Sequence, residues 1–216
     1  MSGQDVDANK FIEWRSKYKY YIDSYLALYQ LKTEIEEELK SIHKMIKTEL
    51  IDSKKFLPAN VVKDILNIIP YNNRYTKSYL FLAKLISDDY HVTEVSNVAI
   101  VPNFLLYKEY GIKLDKSANF KEIKTDNLDI HTENSIFKAI MYNDKEKFIS
   151  FTEREGLDEN QKLVSNLYPD SDERYSLLEL CCYHGAADCF KFLRMPLHSI
   201  KILEIYDYYC SKTLGL

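Results

Sequence analysis

The most informative stretch of this chain is SLLELCCYHGAADCFKFL, at residues 176–193. Apolar residues recur at helical spacing on both sides of Gly185, which predicts two short helices joined by a tight turn. Ser176 followed by Glu179 has the form of a capping box, in which a hydroxyl and a carboxylate satisfy backbone N–H groups at a helix start. Gly185 allows the positive φ that a sharp reversal requires. One such helix pair cannot bury its apolar face alone, so we expect neighbouring units.

An earlier segment has the same pattern. Eight positions in residues 135–151 match eight positions in residues 176–192 at a constant separation of 41 residues. The matched residues are Ser135, Phe137, Ile140, Met141, Asp144, Phe148, Ile149 and Phe151 in the first segment, and Ser176, Leu178, Cys181, Cys182, Gly185, Cys189, Phe190 and Phe192 in the second. An insertion within the polar residues 157–174, which contain Pro169, explains why the separation exceeds the repeat length of about 33 typical of ankyrin repeats.

Residues 176–185, SLLELCCYHG, are similar to the ankyrin signature Thr-Pro-Leu-His-x-Ala-Ala-x-x-Gly. Ser176 replaces Thr, Leu177 replaces Pro, Glu179 replaces His, and the pair Cys181-Cys182 replaces Ala-Ala. The whole chain resembles a lineage-expanded group of protist ankyrin-repeat proteins with an N-terminal helical region of unknown function, through stretches such as DILNIIPYNNRY at 64–75 and LISDDY at 85–90. That resemblance covers residues 1–194 and implies protein–protein interaction with no known catalytic residues. It also implies further repeats after Leu193; these are missing, so the chain looks C-terminally shortened.

The N-terminal region begins with an aromatic stripe. Steps of three and four residues place one set of side chains on one helical face, namely Phe11, Trp14, Tyr18, Tyr21, Tyr25 and Leu28. The same phase resumes at Ile35, which leaves two interpretations of residues 9–52: one long coiled-coil-like helix, or a hairpin broken near Lys32-Thr33. We favour the hairpin, because TEIE at 33–36 has the form of a capping box.

Further helices are predicted downstream, starting at Pro58 as an N1 proline, from about Arg74 to Ser87, and from Phe104 to a C′ glycine at Gly111. The predicted fold is therefore all-α, with N-terminal helical hairpins followed by a short degenerate ankyrin-like helical solenoid. We expect four regions: a helical region at 1–111, a loop or linker at 112–133, two repeats with an insertion at 134–194, and a divergent tail at 195–216 that is helical over 198–212.

Charge and composition exclude several classes of function. The net charge is −4 and the longest basic run is Lys54-Lys55, which gives no electrostatic footprint for nucleic acid or an anionic membrane. No stretch approaches the roughly 18 apolar residues of a membrane span, and the polar N-terminus lacks the apolar core of a signal peptide. The four cysteines lie in the last sixth of the chain, two of them adjacent, which favours reduced thiols. We expect a cytoplasmic protein, with a nuclear location as the alternative, that is not secreted.

No catalytic motif occurs, and we expect no catalytic, cofactor-binding or metal-binding residues. A zinc site at Cys181, Cys182, His184 and Cys189 is disfavoured because the spacing matches no Cys-x2-Cys pair. A Cys181–His184 nucleophile is disfavoured because no third residue orients the histidine.

The sequence therefore predicts a non-catalytic intracellular scaffold that binds an unknown protein partner. In an ankyrin-like stack, contacts come from loop tips and from exposed positions of the first helices. The candidate contact residues are Tyr142, Asn143, Arg174, Tyr175, Tyr183 and His184. Two alternatives stay open: a truncated repeat product with no independent function, and a structural protein that forms a homodimer through the N-terminal stripe.

Overall fold

The computed structural model describes residues 3–123, 128, 134–154, 158, 161–169 and 174–194. It is mostly helical, with 67% helix and 2% strand, which confirms the all-α class. The chain divides into two compact units, Met1–Ile123 and Lys124–Leu216, called here the N-terminal unit and the C-terminal unit. The division falls inside residues 112–133, the segment predicted as a linker.

The N-terminal unit is built from six α-helices and several short helical turns among its described residues. The α-helices are α1 (Gly3–Lys17), α2 (Lys19–Tyr29), α3 (Glu36–Ile46), α4 (Pro58–Ile68), α5 (Thr76–Tyr90) and α6 (Ile100–Tyr110). A π-helix, Lys47–Asp52, continues α3, and 3-10 turns lie at Ile69–Tyr71, Asn73–Tyr75 and Phe120–Glu122.

The N-terminal stripe is interrupted by a chain reversal. Helix α2 ends at Tyr29, α3 begins at Glu36, and α2 packs against both α3 and the π-helix, so residues 9–52 form no single long helix. The local cap differs from the predicted one. Thr33 Oγ1 accepts a hydrogen bond from the Ile35 amide at 3.0 Å, and Ile35 rather than Thr33 is the N-cap residue.

The core of the N-terminal unit lies between α2, α3, α4 and α5. Helix α4 begins at Pro58, as its sequence predicts, and buries Val61, Val62, Ile65 and Leu66. Tyr79 of α5 is fully buried, and its hydroxyl donates to the Leu28 carbonyl at 2.6 Å. The Asn72 amide donates to Tyr79 Oη and to the Leu31 carbonyl, both at 2.9 Å. These bonds hold the end of α2 against α5.

Residues after α6 fold back onto the same unit. Gly111 ends α6 in the left-handed conformation with φ 73°, as predicted for a C′ glycine. The buried Asn103 side chain accepts a hydrogen bond from the Leu114 amide at 3.1 Å, and Leu114 itself is fully buried. Phe120 contacts the Phe104 ring edge-on, with centroids 5.4 Å apart. The first part of the predicted linker is thus packed structure.

The C-terminal unit contains two helical hairpins and a small β-ribbon among its described residues. The elements are α7 (Ile136–Met141), α8 (Lys145–Thr152), β1 (Lys162–Leu163), β2 (Tyr175–Ser176), α9 (Leu177–His184) and α10 (Ala187–Arg194). Helix α7 packs against α9, and α8 packs against α10. The strands pair antiparallel, with Leu163 opposite Tyr175. The predicted tail helix at 198–212 lies outside the described residues.

None of the helices in the described part of the chain combines the length and apolar composition needed to cross a bilayer.

Candidate binding surface of the C-terminal unit

Three of the four short helices are capped by a side chain from their own N-terminal end. Ser135 Oγ accepts from the Lys138 amide at 3.1 Å at the start of α7, and Asp144 Oδ1 accepts from the Lys147 amide at 3.0 Å at the start of α8. Ser176 and Glu179 form the predicted capping box of α9: Ser176 Oγ accepts from the Glu179 amide at 3.3 Å, and the Ser176 amide donates to the Glu179 carboxylate at 2.7 Å. Such caps stabilise helices of only six to eight residues.

The two hairpins bury equivalent positions. Ile140 of α7 and Cys181 of α9 are both buried, as are Phe148 of α8 and Cys189 of α10. The Phe148 ring also meets the Phe192 ring edge-on, with centroids 6.0 Å apart. At these two pairs of positions, which are 41 residues apart, the burial of the two hairpins agrees, whereas Met141 and Phe151 are buried and their counterparts Cys182 and Phe192 are half-buried.

Asn143 joins the two hairpins. It occupies the turn after α7 with φ 52°, a left-handed conformation that asparagine tolerates better than most residues. Its side-chain carbonyl accepts from the Asp188 amide at 3.0 Å and the Cys189 amide at 3.3 Å, and its amide donates to the Asp188 carboxylate at 2.8 Å. The Asn143 side chain thereby caps α10 of the other hairpin, so this candidate contact residue has a structural role.

An aromatic cluster forms around Tyr168, which is not among the contact residues predicted from the sequence. The Tyr168 ring lies 5.2 Å from the Tyr175 ring, 4.8 Å from the Tyr183 ring and 5.7 Å from the His184 ring. Its hydroxyl is 2.8 Å from His184 Nε2. Tyr168 is buried, and the Tyr183 and His184 side chains are half-buried beside it. The apolar pair Leu167-Tyr168 in a polar segment was the available signal for this cluster.

The six candidate contact residues differ in accessibility. Tyr142 is 47% exposed and borders a shallow groove lined by Ser135, Lys138, Asp144 and Lys147. Arg174 is exposed, just before β2. Tyr175, in contrast, is 3% exposed and donates its hydroxyl hydrogen to the Pro169 carbonyl, so its side chain faces the interior of the unit.

Cys181 of α9 and Cys189 of α10 are buried packing groups. Burial raises the pKa of Cys181 well above its usual range, and burial with nearby Asp188 and Asp144 raises the pKa of Cys189 to about 11. Both thiols are therefore protonated at neutral pH and are poor nucleophiles. Over the residues that the structure describes, no three His, Cys, Asp or Glu side chains cluster in a way that could hold a metal ion.

Comparisons of the chain with protein-family models, with curated proteins and with solved structures found no match.

Proposed function

We propose that this chain is a non-catalytic scaffold that binds a protein partner through an ankyrin-like pair of helical hairpins. The observation that carries the proposal is the side-by-side packing of α7 on α9 and of α8 on α10. Stacked helical hairpins present their turns and first helices in a row, which is how repeat proteins build extended contact surfaces.

The proposed surface consists of Tyr142, Arg174, Tyr183 and His184. Tyr142 and Tyr183 are equivalent positions, 41 residues apart, at the C-terminal ends of α7 and α9. Tyrosine and arginine are enriched at interface hot spots because each combines a large contact area with a polar group. Tyr175 is left out of this surface because it is buried, and Asn143 supports the surface by fixing α10.

The low acidity of Cys181 argues against nucleophilic catalysis by the Cys181–His184 pair. Cys181 is buried, and its raised pKa keeps it in the thiol form. His184 contacts Tyr168 Oη at 2.8 Å. The Cys181–His184 pair therefore lacks the thiolate that a cysteine nucleophile requires.

Site-specific photocrosslinking in cells of the source organism tests the proposal. We expect a photoreactive phenylalanine analogue at position 142 to capture a defined protein, because Tyr142 is exposed at the proposed surface. The matched control places the same analogue at Tyr71, which is 58% exposed in the N-terminal unit. Arg174→Glu should lower the yield of the position-142 crosslink about tenfold if it removes about 1.4 kcal/mol of binding free energy.

Either of two outcomes would contradict the proposed surface. One is a position-142 crosslink pattern identical to that of position 71. The other is a specific crosslink whose yield does not respond to Arg174→Glu or to Tyr183→Ala.

A further inference from the structure

The aromatic stripe of the N-terminal unit has an exposed half, which extends to Tyr21 at 40% exposure, and a buried half. Tyr25 and Leu28 are buried in the core, with exposed fractions of 9% and 0%. Phe11 and Trp14 are 65% and 53% exposed, and Tyr18 is 36% exposed. A single exposed aromatic ring is ordinary, but contiguous exposed apolar groups mark an interaction site.

The exposed half forms a shallow groove on α1 and the start of α2. Four apolar side chains line it together with Arg15; they are Phe11, Trp14, Tyr18 and Ile22. We call these four side chains the aromatic seam. The Trp14 and Tyr18 rings lie 5.8 Å apart, so the seam is continuous where α1 meets α2.

The aromatic seam is bordered by positive charge on both sides. With about 100° between successive helix residues, Arg15 borders one edge of the seam, and Lys10 and Lys17 border the other. All three are exposed. The Lys17 ammonium lies over the seam itself, 5.9 Å from the Trp14 ring and 5.6 Å from the Tyr18 ring. Glu13 lies further round the helix, beyond Lys17.

We propose that the aromatic seam binds an amphipathic helix of a partner protein whose apolar stripe is bordered by Asp and Glu. The alternating steps of three and four residues are the spacing at which one helix packs along another. The rim formed by Lys10, Arg15 and Lys17 is positive and therefore favours an acidic partner, because like charges across an interface are destabilising. The interaction is separate from the surface proposed in the C-terminal unit.

The same charges disfavour two other occupants. If two copies paired in parallel, Lys10 of one copy would face Arg15 of the other. If they paired antiparallel, Lys10 would face Lys17. Both arrangements place like charges opposite each other. An anionic membrane would attract the rim, but a helix that lies on a membrane needs a broad apolar face. The seam is narrow, and Glu13 and Ser16 are exposed on other sides of α1.

The fluorescence of Trp14 reports directly on binding at the aromatic seam, because Trp14 is the only tryptophan among the 216 residues. The experiment titrates the full chain with a synthetic helical peptide that carries Leu at heptad positions a and d and Glu at e and g. The matched peptide carries Lys in place of Glu. We expect a saturable blue shift of Trp14 fluorescence with the Glu peptide. The Lys peptide should bind more weakly by a factor of about ten or more, since several exposed charge pairs change sign.

A charge-reversed variant tests the rim itself. Arg15→Glu/Lys17→Glu should lose the preference for the Glu peptide or reverse it. The control is Lys32→Glu/Lys44→Glu, which makes the same change of charge at exposed positions elsewhere in the unit and should bind like the unaltered chain. Because all four positions are exposed, circular dichroism should show equal helix content in both variants.

Four results would overturn the proposal. Equal affinity for the two peptides would show that the basic residues do not select the partner. No binding of either peptide would show that the aromatic seam does not bind such a helix. A Trp14 shift seen only with vesicles of phosphatidylcholine and phosphatidylserine would assign the seam to a membrane surface. Concentration-dependent dimerisation that is lost in Phe11→Ala/Tyr18→Ala would assign it to a second copy of the chain.

Discussion

Asn143 links two hairpins that are far apart in sequence. It lies in the turn between α7 and α8, yet its side chain caps α10, 45 residues further along the chain. The residue contributes twice, once through its left-handed backbone conformation and once through three side-chain hydrogen bonds. Substitutions can separate these two contributions.

Asn143→Gly keeps the left-handed conformation but removes the cap, so we expect it to destabilise the C-terminal unit by about 1–2 kcal/mol. Asn143→Ala should cost about 1 kcal/mol more, because alanine is also strained at positive φ. Amide hydrogen exchange in α9 and α10 measures both effects. Asn97→Gly is the control, since Asn97 is exposed in the N-terminal unit with φ 59°. Exchange in Asn143→Gly as slow as in the unaltered chain would show that the cap is not stabilising.

The short helices α9 and α10 depend on small buried groups at their contact. Cys181 and Cys189 fill this position as thiols, and cysteine in such a place behaves as a small apolar residue. Because a buried thiolate is unfavourable, this packing is most stable while both sulfur atoms keep their protons. The two helices therefore have a built-in sensitivity to high pH.

We predict that the C-terminal unit loses stability above about pH 9. The pKa of Cys189 is raised to about 11 in the folded chain, above its ordinary value of 9.0, and the pKa of Cys181 is raised in the same direction. Between these pKa values the unfolded chain releases thiol protons that the folded chain retains, so the free energy of unfolding falls as the pH rises.

Urea unfolding followed by the methyl resonances of Ile140, at pH 7 and at pH 10, measures this loss. The double variant Cys181→Ala/Cys189→Ala should show a smaller difference between the two pH values, because tyrosine titration contributes equally to both proteins. An equal difference in the two proteins would mean that the thiols are not responsible.

Local patterns in the sequence were enough to predict several helix ends. Pro58, Gly111 and Gly185 act within a few residues of their own position, and so does the Ser176 capping box. The aromatic contacts of Tyr168 and the hydrogen bonds from Asn143 to the start of α10 could not be predicted from local patterns, because these contacts join parts of the chain that are distant in sequence. The aromatic stripe has the same spacing whether another element covers it or not. Its exposed half was therefore visible only in the structure.

The chain consists of two compact units, and each has its own core. Leu82 of α5 is fully buried in the N-terminal unit, and Phe148 of α8 is fully buried in the C-terminal unit. Units with separate cores can unfold separately, so one free energy of unfolding does not describe the chain.

Leu82→Ala should lower the stability of the N-terminal unit by about 2–5 kcal/mol, because it leaves a cavity in a packed core. Phe148→Ala should have the corresponding effect on the C-terminal unit. Amide hydrogen exchange is expected to accelerate in α4 and α5 for the first variant, and in α7 and α9 for the second. If either variant accelerated exchange equally in both units, the two cores would be energetically coupled.

The hydrogen bond from Tyr79 to the Leu28 carbonyl has a consequence for synthesis on the ribosome. The two residues are 51 positions apart, so α2 cannot complete its packing until α5 has been made. At roughly 5–20 residues per second, translation takes several seconds to cover these 51 positions, and during that time the contact of Tyr79 with the end of α2 cannot form. We therefore expect the end of α2, including Leu28, which is fully buried in the folded unit, to stay exposed in the nascent chain until Tyr79 has emerged.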